Sequence, residues 1–238
     1  MEKKRRFNWG IHLLALLITT GIFIAGILVG NTLQKNVVSS VESDLNEVNQ
    51  RVLDVQLLLL TENTGYFCDI YEEKLPKLDE ENYILGQTLE YLEEKKGVSN
   101  PDLKKQYFEL ELRDYLLMEK ANEQCGLGIP ILLYFYNNRD CKDCGEQGYE
   151  ITKLRKDLGK EDKMLRVYTF DGGMSNQSAV VHALIKNLNI TEYPTIVLIA
   201  NNQTIILRGL HDKEEIRSNL DKMMRLSSTP NIINDSQP

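Results

Sequence analysis

The chain has 238 residues, 42% of them apolar and 26% charged, with only 15 Gly and 6 Pro, which excludes a disordered or fibrous polypeptide. A formal charge of −7 argues against nucleic acid as a partner, because binders of phosphate backbones present a basic face. Four cysteines are too few for a disulfide-stapled miniprotein in a chain long enough for one or two domains, so their placement is read for redox chemistry, metal binding or a single staple.

The first element is the least ambiguous. Lys3, Lys4, Arg5 and Arg6 precede Ile11 to Gly30, twenty residues without a charge. A helix of that length spans roughly 30 Å, the thickness of a bilayer's hydrocarbon core. Trp9 sits at the interface. The next charges are Lys35, Glu42 and Asp44, so the positive-inside rule keeps residues 1–10 cytoplasmic and puts the rest outside. The expected reading is a single-pass signal anchor over residues 11–30. A cleaved signal peptide is the competing reading, and both export the remainder of the chain. A buried soluble helix would show a polar face, which is lacking between Leu13 and Val29. Four glycosylation sequons, at Asn176, Asn189, Asn202 and Asn234, fit an exported chain, but about two are expected by chance in this composition.

From Val41 the apolar positions run Val41, Leu45, Val48, Val52, Val55 and Leu59, a 4-3-4-3-4 spacing that predicts a helix with a coiled-coil-like seam. Gly65 interrupts it, and Pro76 ends a further helical stretch through Tyr71 and Leu75. A second helix then starts at Asp79, buries Ile84, Leu85, Leu89 and Leu92, and stops at Gly97. A third opens at Asn100-Pro101-Asp102, turns Leu103, Tyr107, Leu110, Leu117 and Ala121 inward, and stops at Gly126. Residues 36–125 are thus expected to be all-helical, as an intrachain bundle in preference to a coiled-coil dimer, with a role in spacing, orientation or substrate contact. Acidic pairs such as Glu80-Glu81 and Glu93-Glu94 read as solvated helix faces.

After Gly126 the period changes. Strands are expected at Ile129 to Tyr136, Met164 to Phe170, Thr195 to Ala200 and Thr204 to Arg208, with helices over 141–158 and 176–188 and one from Asp212 to about Leu226. Asn201-Asn202-Gln203 reads as a hairpin loop. The order β-α-β-α-β-β-α implies an α/β domain, a mixed sheet with helices on both faces. Residues 227–238 read as a disordered tail.

The chemistry sits at Cys141-Lys142-Asp143-Cys144, where a strand ends and a helix begins. Cysteines at i and i+3 on a helical turn have Cα atoms about 5–6 Å apart, which a disulfide tolerates. At a helix N-terminus Cys141 is favoured as a thiolate, hence as nucleophile, and the deeper Cys144 suits the resolving role. Lys142 lowers the Cys141 pKa while Asp140 and Asp143 raise it, so the direction of electron flow stays open. Zinc at this pair needs two more ligands, and no second CxxC or HxxxH is present. No cofactor is called for. His12, His182 and His211 read as structural or solvent-facing.

A strand, a CxxC at a helix start, a second βα unit, then Tyr193-Pro194-Thr195 opening a hairpin resembles the thioredoxin superfamily over residues 127–226. The resemblance implies a thioredoxin-like fold, a cis Pro194 facing the cysteine pair, and a Tyr193 that offers backbone hydrogen bonds to an extended substrate. The sequence also departs from that family. Lys-Asp replaces the usual dipeptides, Arg139-Asp140 replaces a Trp, and the strand Leu133-Tyr134-Phe135-Tyr136 lacks the buried acid that thioredoxin uses for proton transfer.

Cys68 and Cys125 fall toward one end of the antiparallel helices, so a structural disulfide is expected in an oxidising compartment, provided a bend near Gly65 closes the gap. A relay between Cys125 and Cys141 is the weaker alternative. The overall expectation is a membrane-anchored thiol–disulfide oxidoreductase acting on cysteine-containing exported proteins and reset by a redox partner. The alternative is a non-catalytic thioredoxin-like adaptor or assembly factor on a helical stalk. An insulin-reduction assay separates them, since an adaptor shows no activity that depends on Cys141.

Overall fold

A computed structural model of the chain describes residues 9–58, 64–94 and 100–226; the basic cluster at Lys3 to Arg6, Gly97 and the tail at 227–238 lie outside them. The apolar leader and the first amphipathic stretch form one unbroken helix, α1 (Trp9–Leu58). Among the described residues it alone is long and apolar enough to cross a membrane. Its large side chains from Leu13 to Val29 are exposed, whereas Val41, Leu45, Val48, Val52 and Val55 are buried. Leu59, the last of the expected seam, lies outside the described residues.

That seam packs on α2 (Thr64–Glu94) and α3 (Pro101–Cys125) of the same chain, so the helices form the expected intrachain bundle. The structure corrects the reading of α2, which runs through Pro76 without a break. Phe67, Tyr71, Leu75, Leu78, Leu85 and Leu92 form one buried stripe on both sides of the proline. Pro76 itself is exposed, so the carbonyl that loses its N–H partner faces water and packing of the stripe outweighs the break. Asp79 is mid-helix and not a cap. Ile84 is 53% exposed, also against expectation, because the stripe passes through its neighbour Leu85. Helix α3 begins and ends as its sequence requires. The Asn100 side chain accepts from the Leu103 N–H at 3.1 Å, Pro101 is the first helical residue, and Gly126 closes it at φ 65°. Leu103, Tyr107, Leu110, Leu117 and Ala121 are all buried.

A disulfide joins Cys68, in the second turn of α2, to Cys125, the last residue of α3, with Cα atoms 5.5 Å apart. The two meet there because α2 and α3 pack as antiparallel neighbours, Cys68 near the start of one and Cys125 at the end of the other; Gly65 lies within α2, not at a bend. Closing a loop of 57 residues stabilises the fold by about 4 kcal/mol on a chain-entropy argument.

The C-terminal half is a four-stranded sheet in the order β2-β1-β3-β4. Its strands are β1 (Ile131–Tyr136), β2 (Arg166–Asp171), β3 (Thr195–Ala200) and β4 (Gln203–Arg208). β1 and β2 are parallel, β3 is antiparallel to β1, and β4 to β3. The hairpin turns on Asn201 and Asn202, with φ of 50° and 59°. It is a two-residue turn, not the expected three, because left-handed Asn at both central positions matches the strand twist. Helices α4 (Cys144–Lys160) and α6 (Lys213–Leu226) cover one face, where Ile151, Leu154, Ile216 and Leu220 meet Leu132 and Leu198. Helix α5 (Ala179–Asn187) and the bundle cover the other, where Val181 and Phe108 meet Leu133, Phe135 and Phe170. Helix α5 is shorter than the expected 176–188, since Ser178 caps it and its side chain accepts from the Val181 N–H.

The bundle and the sheet are joined by buried charge. Arg166 of β2, 1% exposed, binds Asp114 of α3 and, at 2.7 Å, Asp79 of α2. Arg155 of α4 meets the same Asp79 at 2.5 Å. Two acidic positions expected on solvated faces are engaged: Glu81 pairs with Arg51, and Glu93 accepts from Lys104 at 2.8 Å. Each neutralises a cation that the packing brings within reach.

Candidate redox site

Beyond β1 the chain turns at Asn137, whose side-chain oxygen accepts from the N–H groups of Arg139 at 2.9 Å and Asp140 at 3.4 Å. This delivers Cys141 to the head of α4. The helix starts at Cys144, three residues later than expected; Asp143 stands at its N-cap with φ −99° and ψ 0° and makes no side-chain cap. Cys141 therefore lies in the turn before the helix, and Cys144 in its first turn. The two are joined by a disulfide with Cα atoms 5.5 Å apart. Cys141 is half-buried, while Cys144 is buried.

Two contacts fix this helix start. The Tyr134 hydroxyl donates to the Cys144 carbonyl at 2.5 Å. Gln147, fully buried, donates to the His211 carbonyl at 3.0 Å and accepts from the His211 N–H at 2.7 Å, tying α4 to the segment before α6. The His211 Nε2 bonds the Arg208 carbonyl at 3.0 Å, with a Glu215 carboxylate oxygen 2.9 Å from Nδ1, and His182 meets Ser175 at 3.3 Å.

The Tyr193-Pro194 bond is cis. Thr195 pairs with Phe135, and Phe135 with Phe170, so the segment before β3 emerges at the same end of the sheet as the chain leaving β1. The register thus brings Pro194 and the cysteine turn to one edge. Pro194 is buried and its carbonyl accepts from the Gly209 N–H at 2.9 Å. The Tyr193 ring lies on Gly172, where any Cβ would collide with it. Burial, helped by the Asp171 charge, raises the Tyr193 phenol pKa.

An ion network missing from the sequence reading braces this edge. Lys104 of α3 sits between Glu93 of α2 and Asp171 at the end of β2, at 2.8 Å from each. Glu93 also accepts from Asn138, in the turn before Cys141, at 3.0 Å. Glu111 of α3 is buried and accepts from the outward N–H of Thr169 at 2.8 Å, covering the free edge of β2. Strand β1 carries no acid, as its sequence showed; the bundle brings Glu111 to the neighbouring strand β2. A signal was present, since Lys104, Tyr107, Phe108, Glu111, Asp114, Tyr115 and Met118 repeat at 3–4 spacing, which sets two acids within an apolar stripe. The relay between Cys125 and Cys141 is corrected. Cys125 is bonded to Cys68 and precedes β1, whereas Cys141 follows it; six residues of strand separate the two ends by roughly 20 Å.

No family model matches the chain, and no curated protein matches it. Solved structures similar to part of the chain include the first thioredoxin domain of mouse protein disulfide-isomerase A4, at 22% identity, covering 50% of this chain and 81% of that one with a TM-score of 0.35. Thioredoxin O2 from Arabidopsis thaliana gives 17%, 48%, 89% and 0.36. Fasciola hepatica thioredoxin gives 16%, 46%, 93% and 0.34. The strand order and the cysteine turn at the end of the first parallel strand decide the class. This half of the chain has a thioredoxin-like fold. At the head of α4 the two cysteines stand at disulfide distance, and Cys141 is the more accessible of them.

Proposed function

We propose that the chain is a membrane-anchored thiol–disulfide oxidoreductase acting outside the cytoplasm on cysteines of exported proteins. The observation that carries this reading is the disulfide at the head of α4, between a half-buried Cys141 and a buried Cys144. In the reducing direction the Cys141 thiolate attacks a substrate disulfide, forms a mixed disulfide and expels one substrate thiolate. The Cys144 thiolate then attacks the Cys141 sulfur and expels the second. Two electrons pass to the substrate, its two thiolates take protons from solvent, and the reverse sequence oxidises a dithiol. Pro194 and Tyr193 position the substrate chain. The apolar half of α1 supplies the anchor, and a second disulfide at Cys68–Cys125 suits an oxidising compartment.

A Cys144→Ser variant in cells is expected to accumulate mixed disulfides that dithiothreitol releases, and a Cys141→Ser variant to accumulate none. Equal yields from both would sink the role assignment. Insulin reduction that is equally absent with and without Cys141 would favour an adaptor instead.

A further inference from the structure

A cavity of about 380 Å³ opens between α2 and the first turns of α4, with Cys144 in its wall. It falls in the size range of small ligand pockets. Five tyrosines line it, Tyr83, Tyr107, Tyr134, Tyr136 and Tyr149. Its cations are already neutralised: Arg155 and Arg166 by Asp79, Lys104 by Glu93 and Asp171. The cavity therefore offers an occupant aromatic faces, bare backbone and polar side chains such as Gln87 and Thr152, and no unbalanced positive charge.

The backbone comes from Gly145 and Gly148. Each costs α4 about 1 kcal/mol relative to Ala. Packing explains the glycine on the opposite wall, for a Cβ at Gly86 would lie 2.6 Å from the Tyr107 hydroxyl. It does not explain these two. A Cβ on Gly145 would meet nothing within 4 Å, and one on Gly148 only the Tyr134 ring at 3.8 Å. Both residues line the cavity, so what they keep open is room for something outside the chain.

We propose that this cavity is a specificity pocket that receives an aromatic side chain of the client polypeptide, close to the cysteine that undergoes exchange. Its position selects the occupant. Exposed Asn138 and Gly145, which flank the two cysteines in sequence, both border the cavity, as does Tyr149, 62% exposed. A chain joined to Cys141 passes within side-chain reach of that opening. Tyrosine walls on a helix-backbone floor suit a ring, which gains offset or edge contacts. The assignment rests on the exchange reading above.

The test uses two reduced two-cysteine peptides, identical except for Trp or Ala beside one cysteine, and the oxidised full-length protein in detergent micelles. Two electrons and two protons pass from the peptide dithiol to the Cys141–Cys144 disulfide. The Trp peptide is expected to react about tenfold faster. Gly148→Leu and Gly145→Val, which fill the cavity, are expected to erase the preference, and Gly159→Leu, on the same helix outside it, to retain it. Equal rates for the two peptides on the unmodified protein, or a preference that survives both filling variants, would overturn the pocket. Binding of the same peptides with Ser for Cys, read by fluorescence anisotropy, separates the two readings. Tighter binding of the Trp peptide, lost in Gly148→Leu, without any exchange would keep the pocket and remove the oxidoreductase. Exchange at one rate for both peptides would remove the pocket alone.

Discussion

Glu111 is a carboxyl shut away from water, and burial pushes its pKa up to about 8, with the Thr169 N–H and the Tyr107 hydroxyl pulling the other way. The folded chain therefore holds a proton that the unfolded chain releases above the ordinary value of 4.5. Stability is full at acid pH, falls as pH rises through the range between those two values, and levels off above about 8. Glu111→Gln keeps an acceptor for Thr169 and removes the titration. Denaturation midpoints from pH 5 to 9 are expected to fall less steeply with pH for the variant than for the parent; parallel profiles would refute a protonated Glu111. Tyr193 shows the same dependence on a neighbour outside its own segment. Its ring sits where Gly172 leaves space, so Gly172 is part of the site although nothing about it in sequence is chemical.

Among the elements, α3 has the most to satisfy. Leu103, Leu110, Leu117 and Ala121 are buried on one line, and Tyr107, Phe108, Glu111, Asp114 and Met118 on another. The bundle and the sheet both press on this helix, and its contacts with α1, α2, β2 and α5 follow. The heptad-like line was legible because its residues are apolar. The second line was legible only in part: Tyr107 was expected inward and the spacing carried a signal, but its acids look like surface residues until Arg166 arrives from β2. Asp114→Ala leaves Arg166 buried beside fewer acids and is expected to destabilise the protein by about 3–5 kcal/mol, measured by denaturant unfolding. A loss within the range of a surface substitution, about 0.5 kcal/mol, would show that the pair is not holding the two halves together. Helix α2 carries the converse lesson. Pro76 is a strong local stop signal, but it occupies the solvent side of a stripe that needs every turn.

For the molecule as a whole, the consequence of α1 being continuous is directional. Arg51 pairs with Glu81, and Arg113 of α3 bonds Asn49 at 2.9 Å, so α2 runs back toward the apolar half of α1 while α3 runs away from it. Glu93 and Lys104 then lie level with about residue 40 of α1, and they hold Asn138 and Asp171 at the cysteine end of the sheet. About ten residues of helix, roughly 15 Å, separate that level from Gly30. The cysteine turn thus faces the end of the bundle from which the apolar half of α1 leaves, and the hairpin at Asn201-Asn202 faces away. In reconstituted vesicles a nitroxide at Asn138 is expected to sense a paramagnetic chelate on lipid headgroups more strongly than one at Asn202. The reverse order would mean that the domain stands with its cysteines away from the bilayer.

The sequence by itself determined the elements whose cause is local: the apolar leader, the capped α3, the cysteine turn between strand and helix, and the succession of strands and helices along the chain. Each rests on spacing or on one residue's conformational preference, which neighbours in the chain express without help. Only the tertiary structure decided that α2 ignores its proline, that Glu111 and Asp114 are buried acids, that Gly172 seats Tyr193, and that a tyrosine-lined cavity adjoins Cys144. Those outcomes depend on which surfaces meet, and a charge or a glycine shows its role only once the partner from a distant element stands opposite it.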